Sequence, residues 1–356
     1  MFEKLTEKMN GFLEMGIPGY DCVVYHKGNC VYRHFNGYSD IINKVPMSGK
    51  EIYNIYSCSK VITVTAALML YEKGLFGLED KLSDYIPEFA EMWVKTDKGM
   101  KKAEHSITIK DLFCMTAGFS YDLNSPQIQK CKKDTGGECQ TGELVKYLAK
   151  EPLLFEPGER WEYSLCHDIL AALVEIIAGK RFGIFIDENI FKPLKMENST
   201  FLLDDNCLDK ISTQYRFNTE TNRAEVIPKT IDYKFGSRYE SGGAGCISTV
   251  DDYIRFLEAL RTEKLIKKDT INLMSKNQLT EEQLKNYYLP EYGYGLGVRC
   301  PKNDKLTDFG WGGAAGSYVT IDIDNEITAF YAQHVLNSPV QLIRNQLTNI
   351  IKECII

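Results

Sequence analysis

Residues 52–74 read IYNIYSCSKVITVTAALMLYEKG. Val61, Val64, Leu68 and Tyr71 recur every three or four residues and Gly74 supplies a stop, so the spacing predicts a helix. Almost every residue after Lys60 is apolar or small, which marks that helix as buried. A lysine at its head is costly unless it is paired or used. Ser57 and Lys60 lie three apart and share a helix face. A serine hydroxyl becomes a nucleophile when a neighbouring base takes its proton, and a desolvated lysine amine is such a base. The N–H groups at a helix start suit a developing oxyanion. Taken alone, S-x-x-K is weak evidence, since about one copy is expected by chance at ordinary serine and lysine frequencies.

Toward the N-terminus, YDCVVYHKG from Tyr20 and NCVYRHFNGYSD from Asn29 are rich in Val and Tyr, with Lys27-Gly28 between them. That is a hairpin pattern. The opening MFEKLTEKMNGFLEMG reads as an amphipathic helix with no signal-peptide core. From about residue 78 to 240 the chain turns to short helical segments (IKDLFCMT, GELVKYLAKE, CHDILAALVEIIAG) divided at Pro87, Pro126, Pro157-Gly158 and Pro193. Within it, QKCKKDTGGECQTG (129–142) reads as a polar surface loop that shapes the pocket. After 240, YGYGLGVRC, LTDFGWGG and SYVTIDIDNEITAFYAQ read as strands, the last turning tightly at Asp322–Asn325. VQLIRNQLTNIIKECI closes the chain as an amphipathic helix.

This order predicts an α+β architecture: an antiparallel sheet flanked by N- and C-terminal helices, with an inserted, mainly helical domain. The expected boundaries are 1–77 and 240–356 for the sheet domain and 78–239 for the insertion, with the active site between them. A chain of 356 residues is long enough for two such units.

Composition narrows the function. The net charge of −7, from 42 basic against 49 acidic residues, argues against nucleic acid as a partner, which needs clustered basic surface. No run approaches the roughly 20 apolar residues of a membrane span, and a cytoplasmic location is expected. The eleven cysteines form no C-x-x-C and read as reduced thiols. The five histidines are scattered and none pairs with a cysteine at ligand spacing, so no metal or cofactor is expected.

Two further segments carry chemistry. In FEPGERWEYSLCHD (155–168), Trp161 is a bulky anchor and Tyr163 stands just before a helix; a tyrosine beside a lysine can relay a proton. In DFGWGGAAGSYVTIDID (308–324), a glycine-rich edge before a strand permits close approach and offers N–H donors. There is no G-x-S-x-G elbow, H-E-x-x-H, Walker loop or dinucleotide fingerprint.

In this order and spacing, the three segments resemble the serine β-lactamase-related superfamily, including class C β-lactamases, D-aminopeptidase-like enzymes and family VIII carboxylesterases. Supporting stretches are LEDKLSDYIPEF (78–89), SITIKDLFCMTAGFSYD (106–122), similar to the family's "LLTHTSGL" segment with Met115 where histidine is common, and SGGAGCISTVDDYIRFLEAL (241–260). The resemblance runs from about Gly19 to the C-terminal helix. It implies Ser57 as the acylated nucleophile, Lys60 as its base and Tyr163 as the tyrosine of Y-x-N. Trp311-Gly312-Gly313 falls at the position of K-T-G, and the backbone N–H groups of Ser57 and Ala314 form the implied oxyanion hole, with Gly313 beside it. Two departures stand out: Leu165 replaces the asparagine of Y-x-N, and Trp311 replaces the lysine of K-T-G. Both remove polar groups, which favours neutral or hydrophobic acyl esters. The expected function is therefore a serine hydrolase of carboxylesterase type acting on a small-molecule ester. A β-lactamase or D-amino-acid peptidase or amidase is the alternative, and a catalytically silent binding member of the fold is the second.

Overall fold

A computed structural model describes residues 1–229, 233–302 and 306–356. Its centre is a six-stranded sheet built from the two ends of the chain. The strands are β1 (Gly19–His26), β2 (Asn29–Asp40), β3 (Val45–Pro46), β4 (Asp308–Phe309), β5 (Tyr318–Asp322) and β6 (Ile327–Ala332), in the order β4-β5-β6-β1-β2-β3. Every neighbouring pair is antiparallel. Lys27 and Gly28 both have positive φ (52° and 78°), so the first hairpin turns through two left-handed residues, the geometry that matches strand twist.

Alternation along β1 sends side chains to two cores. Tyr20, Cys22 and Val24 pack with Leu5, Met9 and Phe12 of helix α1 (Glu3–Glu14), and with Leu347 and Ile351 near the C-terminus. Val23 faces the other core, which contains the apolar residues of α2 (Ser59–Glu72), α3 (Cys166–Ala178) and α4 (Val250–Arg261). There Tyr253 of α4 stacks on Phe330 of β6 with ring centroids 4.3 Å apart. The last helix, α5 (Gln346–Ile355), covers the first face together with α1.

The middle of the chain departs from the sequence expectation in two places. The stretch 129–142 is no open loop. Pro126–Asp134 and Thr141–Leu148 are helices that pack on each other, the first capped by the Ser125 hydroxyl with Pro126 in the first helical position. The Ser-Pro step was the readable signal, since proline suits that position, but the charge of the helix face hid the periodicity. The middle also holds strands. Trp93–Thr96 pairs with Gly99–Lys102, and Gln214–Asn218 pairs with Arg223–Ile227 and, in parallel, with Val335–Leu336. The last pairing ties the middle of the chain to its end, a long-range contact that no local pattern announces.

Candidate active site

The approach to α2 is a locked turn. Tyr53–Asn54 pairs with Ile247–Ser248, and a single 3₁₀ turn, Tyr56–Cys58, then leads into the helix. Tyr56 has φ 46°, a conformation that bulky residues rarely adopt. It is held there by its surroundings: its hydroxyl accepts from Gln214 Nε2 at 2.9 Å and its ring meets Tyr233 edge-on. Tyr253 donates to the Cys58 carbonyl at 2.7 Å, and the Ser59 hydroxyl accepts from the Cys246 N–H at 3.0 Å. Ser57 thus sits at the bend on a backbone pinned from three other segments.

Two side chains converge on the Ser57 hydroxyl. Tyr163 Oη lies 2.7 Å from Ser57 Oγ, and Lys60 Nζ lies 3.3 Å from it. Lys60 is fully buried. Its amine also donates to the Gly243 carbonyl at 2.7 Å and lies 4.7 Å from the centre of the Tyr163 ring. Desolvation pulls it down from its ordinary value to about 8, although the Asp168 carboxylate pulls the other way. Burial pushes the Tyr163 phenol up to about 12, with the Ser57 hydroxyl and the Trp311 indole opposing that rise. Near neutrality the phenol keeps its proton and the amine readily loses one. That combination suits proton abstraction by the amine and relay by the phenol.

Trp311 arrives from the strand edge and is buried, its ring nearly parallel to that of Tyr163 (7°, 6.0 Å). It forms a wall that holds the phenol. Tyr294 abuts Trp311 edge-on, and Trp161 packs against Tyr163, Tyr287 and Tyr294, extending an aromatic belt around the site. Leu165 is also buried, but it lines a separate cavity of about 290 Å³ with Phe119, Leu148 and Leu154.

Gly313 borders the Ser57 turn. A Cβ on Gly313 would strike the Ile55 carbonyl and the Ser317 hydroxyl, and one on Gly312 would strike the Arg344 guanidinium. The glycine space is therefore filled by the protein's own groups, where the sequence suggested room for substrate. Several contributors were missed from sequence: the Gly243 carbonyl, the Asp168 carboxylate with its Tyr239 and Ser241 donors at 2.6 Å, and Tyr121, whose ring lies 5.0 Å from that of Tyr163. Only Asp168, an acidic residue in a helix that is otherwise almost wholly apolar, left a signal. Among the described residues, no cluster of His, Cys, Asp or Glu could hold a metal ion, and no helix is long and apolar enough to cross a membrane.

Comparison with known proteins shows the family. A family model described as Beta-lactamase matches residues 2–348. The chain belongs to that family. It is a serine hydrolase with the β-lactamase/transpeptidase-like fold, as the sequence resemblance implied. Protein Rv1367c of Mycobacterium tuberculosis is 27% identical over 323 residues, covering 83% of this chain and 80% of its own. Esterase EstB of Burkholderia gladioli is 26% identical over 269 residues, covering 70% of this chain and 67% of its own. Among solved structures, EstCE1, described as a hydrolase with promiscuous acyltransferase activity, superposes with a TM-score of 0.80 at 24% identity over 98% of both chains, a likeness of fold.

Proposed function

We propose that this chain is a carboxylesterase that works through an acyl-enzyme on Ser57. The observation that carries the reading is the convergence of Lys60 Nζ and Tyr163 Oη on one serine oxygen. Lys60, as the free amine, takes the Ser57 proton while Oγ attacks the ester carbonyl. The tetrahedral oxyanion sits between the N–H groups of Ser57 and Ala314. On collapse, the C–O bond to the alcohol breaks and Tyr163 gives its proton to the leaving oxygen, taking in its place the one that Lys60 removed from Ser57. Water then attacks the acyl-Ser57 ester, releasing the acid and restoring the hydroxyl.

Neutral, hydrophobic acyl groups are the favoured substrates. The aromatic belt of Trp161, Tyr163, Tyr294 and Trp311 carries no charge, and an uncompensated carboxylate beside it would be poorly solvated. The relative EstB is named an esterase, which favours ester over lactam chemistry. A fluorophosphonate probe tests the nucleophile: wild-type protein is expected to label and Ser57→Ala to remain unlabelled. Equal labelling of both removes the reading and favours a silent member of the fold. Turnover of p-nitrophenyl butyrate against nitrocefin separates ester from lactam preference. Faster nitrocefin hydrolysis would favour the β-lactamase alternative.

A further inference from the structure

Arg344 stands just before α5, and its guanidinium reaches back to the strand edge beside Ser57. Nη1 donates to the Gly313 carbonyl at 2.6 Å and to the Ser317 carbonyl at 3.0 Å. Gln341, one turn earlier, donates to the next carbonyl, that of Ala314. The absence of a side chain at Gly312 is what admits the guanidinium. Among the described residues, the groups that act most on its charge are Cys58, Tyr318, Tyr288 and Arg299, none of them a carboxylate. A half-buried cation held by carbonyls, with no acidic partner among the described residues, is an expensive way to brace a loop.

The Gly313 carbonyl and the Ala314 N–H belong to the same peptide group. No peptide in the described chain is cis, so the carbonyl and the N–H point in opposite directions. Whatever fixes the carbonyl on one side aims the N–H on the other. A charge-assisted bond to the oxygen also polarises the amide and makes its N–H a stronger donor. We propose that Arg344 is a positioning residue for the oxyanion hole: through the Gly313 carbonyl it aims and strengthens the Ala314 N–H. This rests on the reading of Ser57 as nucleophile and Ala314 N–H as an oxyanion donor. Arg344 touches no reacting atom; it acts through one peptide group.

The test compares wild type with Arg344→Met and Arg344→Lys on p-nitrophenyl butyrate, with Ser57→Ala and a fluorophosphonate probe alongside. Arg344→Met is expected to lower kcat about 10- to 100-fold with KM within about threefold, since an oxyanion donor acts mainly in the transition state. The pH of half-maximal rate should stay in place, because Lys60 and Tyr163 are untouched. Affinity for a boronate that mimics the tetrahedral intermediate should fall by the same factor as kcat/KM. Arg344→Lys keeps the charge and a donor and should recover part of the loss. The proposal is overturned if kcat stays within about twofold of wild type, if the boronate binds as before despite a slower kcat, or if the loss only tracks the folded fraction measured by melting. Should Arg344→Met not fold, Arg344→Lys decides: boronate affinity that falls with kcat supports the proposal, and unchanged kcat overturns it. Labelling of Ser57→Ala at the wild-type level would sink the underlying reading and this inference together. Ser57-dependent labelling with an indifferent Arg344→Met removes this inference alone.

Discussion

Lys60 illustrates how the burial of one side chain couples stability to pH. Its amine is fully buried and pulled down to about 8 by desolvation, while in the unfolded chain it titrates near 10.5. Between those values the unfolded state binds more protons, so stability rises with pH across this window and the gain is absent below about 8. From pH 7 to pH 10, wild type should gain about 2–3 kcal/mol relative to Lys60→Met in urea unfolding. An unchanged difference would mean that the amine keeps its ordinary pKa in the fold and stays charged across that range. On the proposed mechanism the same value sets the rate. If the free amine is the base, kcat/KM for a neutral ester should rise tenfold per pH unit below about 8 and level off above it, while Tyr163, up at about 12, keeps its proton throughout. A flat profile from pH 6 to 9 would point away from Lys60.

At the scale of elements, the site is a meeting of three independently anchored pieces. The 3₁₀ turn before α2 supplies the serine, the irregular segment ahead of α3 supplies the phenol, and the edge leading into β5 supplies Trp311 and the glycines. The contact between the first and third is tightest at Gly313, whose missing side chain leaves room for the Ile55 carbonyl and the Ser317 hydroxyl. Both are held in place, and the first is backbone, so neither can yield cheaply. Gly313→Ala should destabilise the protein by about 1–3 kcal/mol through overpacking. It should also lower kcat by at least about tenfold by displacing the turn that carries Ser57. A variant that melts as wild type and turns over at the wild-type rate would show that the two pieces are not coupled in this way.

Across the whole molecule, the junctions between distant segments are built from buried polar groups as well as apolar packing. Arg299 and Asp308 form a fully buried ion pair at 2.5 Å, with the Tyr292 and Tyr318 rings on the guanidinium. His334 accepts from the Asn54 N–H at 3.2 Å beside the parallel pairing of Val335–Leu336 with Gln214–Asn218, and burial holds its pKa down at about 4. His167, inside α3, is pulled down to about 3 by burial and by the nearby Lys60 charge. Both imidazoles are neutral in the fold and protonate near 6.5 when unfolded, so stability falls as pH drops below about 6.5. By pH 4 each should have removed about 3 kcal/mol. His334→Gln should therefore narrow the gap between urea midpoints at pH 7 and pH 4, and an equal gap would exclude that histidine as a source of acid sensitivity.

The sequence alone carried the features that repeat over short distances. Alternation and turn residues made the β1–β2 hairpin readable, helical spacing exposed α2 and α3, and the oddity of a lysine heading an apolar helix singled out Ser57 and Lys60. Tyr163 was a candidate from its place before a helix, but its role and the place of Trp311 became legible only through a family resemblance, because little local separates them from other packed aromatics. Tertiary structure alone decided the rest. The Gly243 carbonyl on Lys60, the Arg344 grip on the Gly313 peptide and the parallel pairing of residues 214–218 with 335–336 are contacts between segments far apart in the chain. Their partners have ordinary local patterns. Burial and direction, which lower the pKa of a lysine and fix the orientation of a glycine peptide, exist only once those segments are packed together.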